Sequence, residues 1–186
     1  AADQEQTQRL FIEKTGWILG FGYDDAELDR YPTKEDLDKV STEKPVLIVH
    51  TSGHLSVANS KALELSGINA DTPNPEGGVI RRIEGSQEPN GVLEENAHFA
   101  VLFSLNKLID QSLQDTMLEA AQKMYAKFGY TTAQEGRATT DGYEALKRAS
   151  TKGQLLIDVV AYADMVTSSD FMTSLYNAPT YTNHFR

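Results

Sequence analysis

The second half of the sequence contains two β-like runs, YTTAQE at residues 130 to 135 and LLIDVVAYA at 155 to 163, with starts about 25 residues apart. Between them DGYEALKRASTKG has the composition of a helix and a glycine, Gly153, where that helix would stop. A strand, a single helix and a second strand at that spacing form a βαβ unit. A crossover of that length implies parallel strands and a right-handed connection. Just upstream, QDTMLEAAQKMYAKFG places Met117, Ala121, Met124 and Phe128 at helical spacing and ends in Gly129. The two methionines are expected on a core stripe rather than in a cofactor box. The expected class is therefore α/β.

The first half has another rhythm. Residues 4 to 14 have helical composition, closed by Gly16, and WILGFGY at 17 to 23 reads as a strand with a bulge. Thr33 is the expected N-cap of a short helix, KEDLDKV, with Asp36 placed to complete the cap. PVLIVH, residues 45 to 50, is a continuous β-branched run that suits a strand buried on both faces. From about His54 to Ser66 the spacing of Leu55, Ala58, Ala62 and Leu65 predicts a helix that ends at Gly67. GVIRRIEGSQEPNGVLEE then predicts a hairpin with a polar loop ending in Asn90-Gly91.

Lys and Arg number 17 against 27 Asp and Glu, a net charge of −10, so nucleic acid and anionic membrane surfaces are repelled and neither is expected as a partner. No apolar run approaches the roughly 20 residues of a membrane-spanning helix. The absence of cysteine excludes disulfides and thiolate metal sites. AADQEQTQRLF has neither a basic nor an apolar signal region. It also lacks an initiator Met, and TYTNHFR breaks off where a strand is approached, so the expectation is an internal piece of a longer protein.

In a parallel layer the C-terminal strand ends form the functional rim, because the loops converge there while helices cover the sides. That rule selects Glu135, followed by Gly136 and Arg137. Such a carboxylate can ligate a divalent metal, act as general base, or simply pair with Arg137, and spacing alone leaves all three open. His50 ends a strand and His54 opens the expected helix after a tight turn. A substrate carboxylate or developing oxyanion could sit there beside an imidazole donor; alternatively the histidines satisfy local backbone groups. The pair spans a turn rather than a helical face, a poor arrangement for zinc, which needs three or four converging ligands. Asn59, expected in mid-helix where Asn is unfavourable, invites a bond to the turn or to a ligand, or else lies on a solvated face. Glu94 and Glu95 are adjacent on a strand, so at most one faces a pocket. His98 and His184 read as structural.

HTSGHLSVANSKALELSGI, TPNPEGGVIRR, EPNGVLEENA and FGYTTAQEG, with WILGFGYDDAEL and PTKEDLDKVS upstream, follow one another in an order that resembles amidohydrolase family 3. The likeness runs from about Trp17 to Tyr162 and is to the YtcJ-like branch of metal-dependent hydrolases that includes N-substituted formamide deformylase. The resemblance implies a composite β-sandwich and (β/α)8 TIM barrel, and a divalent metal centre, zinc being the expected ion. It also implies hydrolysis of an amide-type, non-peptide C–N bond in a small-molecule substrate by a metal-activated water. The family's His-x-His pair would lie upstream of Ala1 and further Lys, His and Asp positions downstream of Arg186. Residues 1–106 would then be an α+β insertion subdomain, and 107–186 two βα units of the barrel. Glu135 would be the catalytic and metal-facing carboxylate, with His54, Asn59 and His50 shaping the substrate pocket. The fragment alone would be inactive and, as a cut barrel, prone to self-association; cytoplasm is the expected compartment. A non-catalytic small α/β ligand-binding domain is the alternative.

Overall fold

A computed structural model describes residues 2–164 and 181–185, which divide into two compact units, one of Gln8–Ile109 and one of Ala1–Thr7 together with Asp110–Arg186. Both are mixtures of helix and strand.

Helix α1 (Ala2–Thr15) stops at Gly16, which takes φ +77° as a C-terminal glycine should. β1 (Ile18–Tyr23) leads through the four-residue α2 (Asp25–Leu28) to α3 (Lys34–Asp38). The capping box is present: Asp36 Oδ2 accepts from Thr33 N–H at 3.0 Å. Arg30 grips the same carboxylate with two bonds of 2.7 and 3.0 Å, and that guanidinium holds Asp36 well below the usual carboxylate range. β2 (Val46–His50), β3 (Leu55–Ala58), α4 (Ser60–Leu65), β4 (Gly78–Arg82), β5 (Pro89–Glu95) and α5 (Asn96–Ser104) complete the Gln8–Ile109 unit.

The sheet order is β1-β2-β3-β5-β4, parallel between β1 and β2 and antiparallel elsewhere. Because side chains alternate along a strand, Val46, Val57 and Val92 form one core layer with Leu37 of α3. Leu47, Val49 and Leu93 are buried among the residues of the opposite parity. α5 packs on β4 and β5.

Two expectations are corrected here. The segment from His54 to Ser66 is not one helix: Leu55–Ala58 is a strand paired with β2, and only Ser60–Leu65 is helical. Leu55 and Ala58 happen to sit three apart, but Val57 between them is fully buried, which a one-faced helix would not allow. The hairpin exists, yet Asn90-Gly91 lies inside β5 rather than in its turn, which spans Ile83 to Glu88. Gly91 is needed there for close approach: it has φ +102°, and a Cβ would meet Ala58 O and Lys34 N at 2.7 Å each.

Asn59 corrects a third. It is the N-cap of α4, not a mid-helix residue, and is fully buried. Its Oδ1 accepts from Val46 N–H at 3.0 Å and Ala62 N–H at 2.8 Å. Its Nδ2 donates to Ser41 O at 2.7 Å and Lys44 O at 3.0 Å. All four side-chain valences go to backbone, so nothing is left for a substrate.

In the Asp110–Arg186 unit, α6 (Gln111–Lys127) is capped by Asp110, whose Oδ1 accepts from Leu113 N–H at 2.8 Å. β6 (Thr132–Ala138), α7 (Thr140–Thr151) and β7 (Asp158–Ala163) follow as the expected strand, helix and strand, and the two strands are parallel. Leu146, Ala149, Leu155, Val159 and Phe185 form its core. β6 is exposed along most of its length, unlike the strands of a covered parallel sheet.

Truncating Asn59 would orphan two buried N–H groups and two carbonyls. Asn59→Ala is expected to destabilise the chain by about 3–5 kcal/mol in urea titrations. A loss below about 1 kcal/mol would show that water replaces the amide.

Candidate functional site

His50 and His54 stand at the two ends of the turn joining β2 to β3, and each is taken by a different carboxylate. At the end of β2, His50 Nε2 lies 2.9 Å from Asp25 Oδ1. Its Nδ1 accepts from Ser52 N–H at 3.1 Å and lies 2.8 Å from Ser52 Oγ. With Nδ1 accepting, the ring proton belongs on Nε2 and donates to Asp25. Asp24 adds a third donor, and one ligand atom from each of Asp24, Asp25 and His50 lies within 4.8 Å of the others. β1 and β2 are parallel neighbours, so their C-terminal ends bring these residues together. Among the described residues no other His, Cys, Asp and Glu side chains form such a group.

Tyr23 lies against this cluster, its ring edge-on to His50 at 5.1 Å between centroids. Its hydroxyl is buried without a hydrogen-bond partner. Burial first, then Tyr31 and Asp25 nearby, push the Tyr23 phenol up to about 12.

His54 Nδ1 donates to Glu95 Oε2 at 2.9 Å, and both side chains are about half exposed. Glu95 holds φ +47° and ψ −120°. That region is costly for any residue with a Cβ. The backbone is held there because Glu95 N–H donates to His54 O at 2.9 Å. It is also held because β4 presses against the start of α5, where a Cβ on Gly78 would meet Ala97 N at 2.5 Å. Phe99 stands edge-on to His54 at 5.6 Å and is tilted against His98 at 4.9 Å. His98 is fully buried and its Nε2 donates to Gly53 O at 3.1 Å, while Nδ1 has no partner. Burial lowers the His98 pKa, so the ring is held neutral, in the structural role expected of it.

Glu135 occupies another place than expected. The ladder continues past it, across a bulge, to Ala138 paired with Ala163, so Glu135 lies within β6 and not at its end. Nor is it the partner of the Arg137 guanidinium. Arg137 Nε donates to Asp164 Oδ2 at 2.9 Å, and Glu135 Oε1 accepts only the backbone N–H of Arg137, at 3.1 Å. The carboxylate is exposed.

Thus His50 joins Asp24 and Asp25, His54 joins Glu95, Asn59 serves the core, and Glu135 belongs to the other unit. Asp24, Asp25 and Glu95 had gone unassigned to these histidines. The acidic pair directly after a strand was the available signal for the first two. The preference for at most one pocket-facing member of Glu94–Glu95 pointed toward the third.

The sequence model described as the amidohydrolase family matches residues 1–185. YtcJ of Bacillus subtilis (strain 168) is 34% identical over 125 residues, which is 66% of this chain and 23% of that protein. The N-substituted formamide deformylase of Arthrobacter pascens is 29% identical over 143 residues, 75% of this chain and 26% of that protein. The crystal structure of an uncharacterized metal-dependent hydrolase from Pyrococcus horikoshii OT3 superposes with a TM-score of 0.65 at 24% identity, over 98% of this chain and 35% of that one. The chain spans about a quarter of the length of the curated relatives it matches.

A phenol raised by its surroundings stabilises the fold below its unfolded value near 10 and loses that contribution as pH rises toward about 12. Thermal melts are expected to show a loss of stability over that alkaline window that Tyr23→Phe removes. At neutral pH the same substitution should cost less than about 1 kcal/mol, since the hydroxyl makes no bond.

Proposed function

The chain belongs to the amidohydrolase family, and from that premise we propose that it is a segment of a metal-dependent hydrolase that cleaves a small-molecule amide-type C–N bond. The observation carrying this reading is the family match across residues 1–185, which takes in both units of the fold. The likeness to N-substituted formamide deformylase supports an amide-type bond as the target.

In this reading β6 and β7 are two strands of a (β/α)8 barrel, with residues 1–106 as the inserted subdomain. Exposure of β6 supports it, since a parallel strand is stable when helices and neighbouring strands cover both faces. Phe128 and Tyr130, flanking the β6 entry, are likewise exposed, which suits burial by further barrel strands or by a second copy.

The chemistry such a centre supplies, with its divalent metal bound, is a water of lowered pKa and a polarised carbonyl. Glu135 fits a place in its ligand set. Its carboxylate is exposed, its charge is not cancelled by the neighbouring guanidinium, and among the described residues it accepts only a backbone N–H. Carboxylate oxygen suits a hard divalent cation, and zinc is the ion we expect if imidazoles from elsewhere in the parent complete the set. Glu135 alone cannot hold an ion, so the isolated chain should not turn over. His54 remains the substrate-facing candidate, whereas His50, with both ring nitrogens engaged, and Asn59 act through the fold.

The test compares the intact parent with this chain. Loaded with zinc, the parent is expected to hydrolyse an N-formyl or N-acyl amine, this chain to show no metal-dependent turnover, and Glu135→Gln in the parent to lose about a hundredfold in kcat together with bound metal. Parent turnover that survives complete chelation of metal would sink the hydrolase reading.

A further inference from the structure

We propose that His54 and Glu95 form a proton-transfer dyad, with Glu95 as the positioning residue and His54 Nε2 as the group that exchanges a proton with a ligand. Four observations converge on it. The carboxylate can only accept, so the 2.9 Å contact fixes the His54 proton on Nδ1 and leaves a lone pair on Nε2. No described residue bonds that nitrogen, and the ring is about half exposed, so it is open to a ligand. The ring plane is set by Phe99, edge-on at 5.6 Å, which stacks in turn on Phe103 at 5.5 Å. Finally, Glu95 reaches His54 from a backbone at φ +47° and ψ −120°, a conformation that glycine would adopt without strain.

The strain decides between a structural and a chemical role. An exposed imidazole–carboxylate pair contributes little to stability, less than a residue in that region loses. A side chain kept there against the stability of the chain is explained by what its carboxylate does to His54. The other carboxylate–imidazole pair on the same turn lacks this feature, because both nitrogens of His50 are engaged and its side chain is only 13% exposed.

The step asked of the dyad is a balanced proton exchange: an O–H or N–H of a ligand gives its proton to the Nε2 lone pair, the imidazolium so formed is stabilised by the Glu95 carboxylate, and the same nitrogen returns the proton as the ligand leaves.

The experiment measures acylation of His54 by diethyl pyrocarbonate on this chain, site by site by mass spectrometry, with His184 as internal control. Glu95→Gln is expected to slow His54 acylation about tenfold and to leave His184 unchanged. Glu95→Gly should slow it equally while raising the melting temperature by about 2–4 °C, as strain is relieved. Unchanged acylation of His54 in both variants overturns the proposal, as does a melting temperature lowered by Glu95→Gly, which would make Glu95 a structural residue.

Discussion

The side-chain amide of Asn59 is the interaction on which the rest of the Gln8–Ile109 unit depends. It ties together the start of β2 through Val46, the start of α4 through Ala62, and the loop after α3 through Ser41 and Lys44. The Asn59 backbone N–H closes the same corner on Val46 O at 3.0 Å. A strand pair can slip, and a slip of one residue would turn every side chain to the opposite face. Anchoring Val46 on Asn59 fixes the β2–β3 register, with Leu47 opposite Ala58 and Val49 opposite Ser56. His50 and His54 therefore leave the hairpin at defined places, one toward the end of β1 and the other toward the end of β5.

Glycines set the remaining tolerances. Gly91 lets β5 pass close to Ala58 O, and Gly78 lets β4 meet the first turn of α5. Between them they seat β5 so that its last residue, Glu95, must turn through a left-handed conformation to enter α5. The reach of its carboxylate to His54 follows from that turn. Packing in the core and chemistry at the rim are thus linked through backbone geometry rather than through any contact between buried and exposed side chains.

Local signals were legible in the sequence. The capping box of Thr33 and Asp36, the β-branched run of β2, the glycine stops at Gly16, Gly129 and Gly153, and the strand-helix-strand order of the second unit rest on interactions within a few residues. Pairings across the sheet were not. Glu95 is 41 residues from His54 and Asp25 is 25 from His50, and nothing local in either segment names the other. Asn59 was misplaced for another reason: apolar residues three apart fit both a helix and two half-buried strand positions, so a four-residue strand running into a helix reads as one longer helix. Glu135 was read as the last residue of its strand, because the bulge that carries the ladder on to Ala138 leaves no sequence mark.

Two carboxylate–imidazole pairs on a single turn show how little separates a brace from a reactive group. Both contacts are 2.9 Å long, and both carboxylates follow a strand end or close one. His50 spends its second nitrogen on the Ser52 backbone, is mostly shielded, and stiffens the join between β1 and β2. His54 has no such claim on its second nitrogen, and the residue that orients it sits in a conformation unfavourable to anything but glycine. Where a fold can satisfy an imidazole on both sides, as it does at His50, an unsatisfied one held in place at a local cost to stability is better explained by a ligand than by the fold. By the same reasoning the Asp24–Asp25–His50 group, although its ligand atoms are close enough to hold a cation, is already complete as a hydrogen-bonded corner.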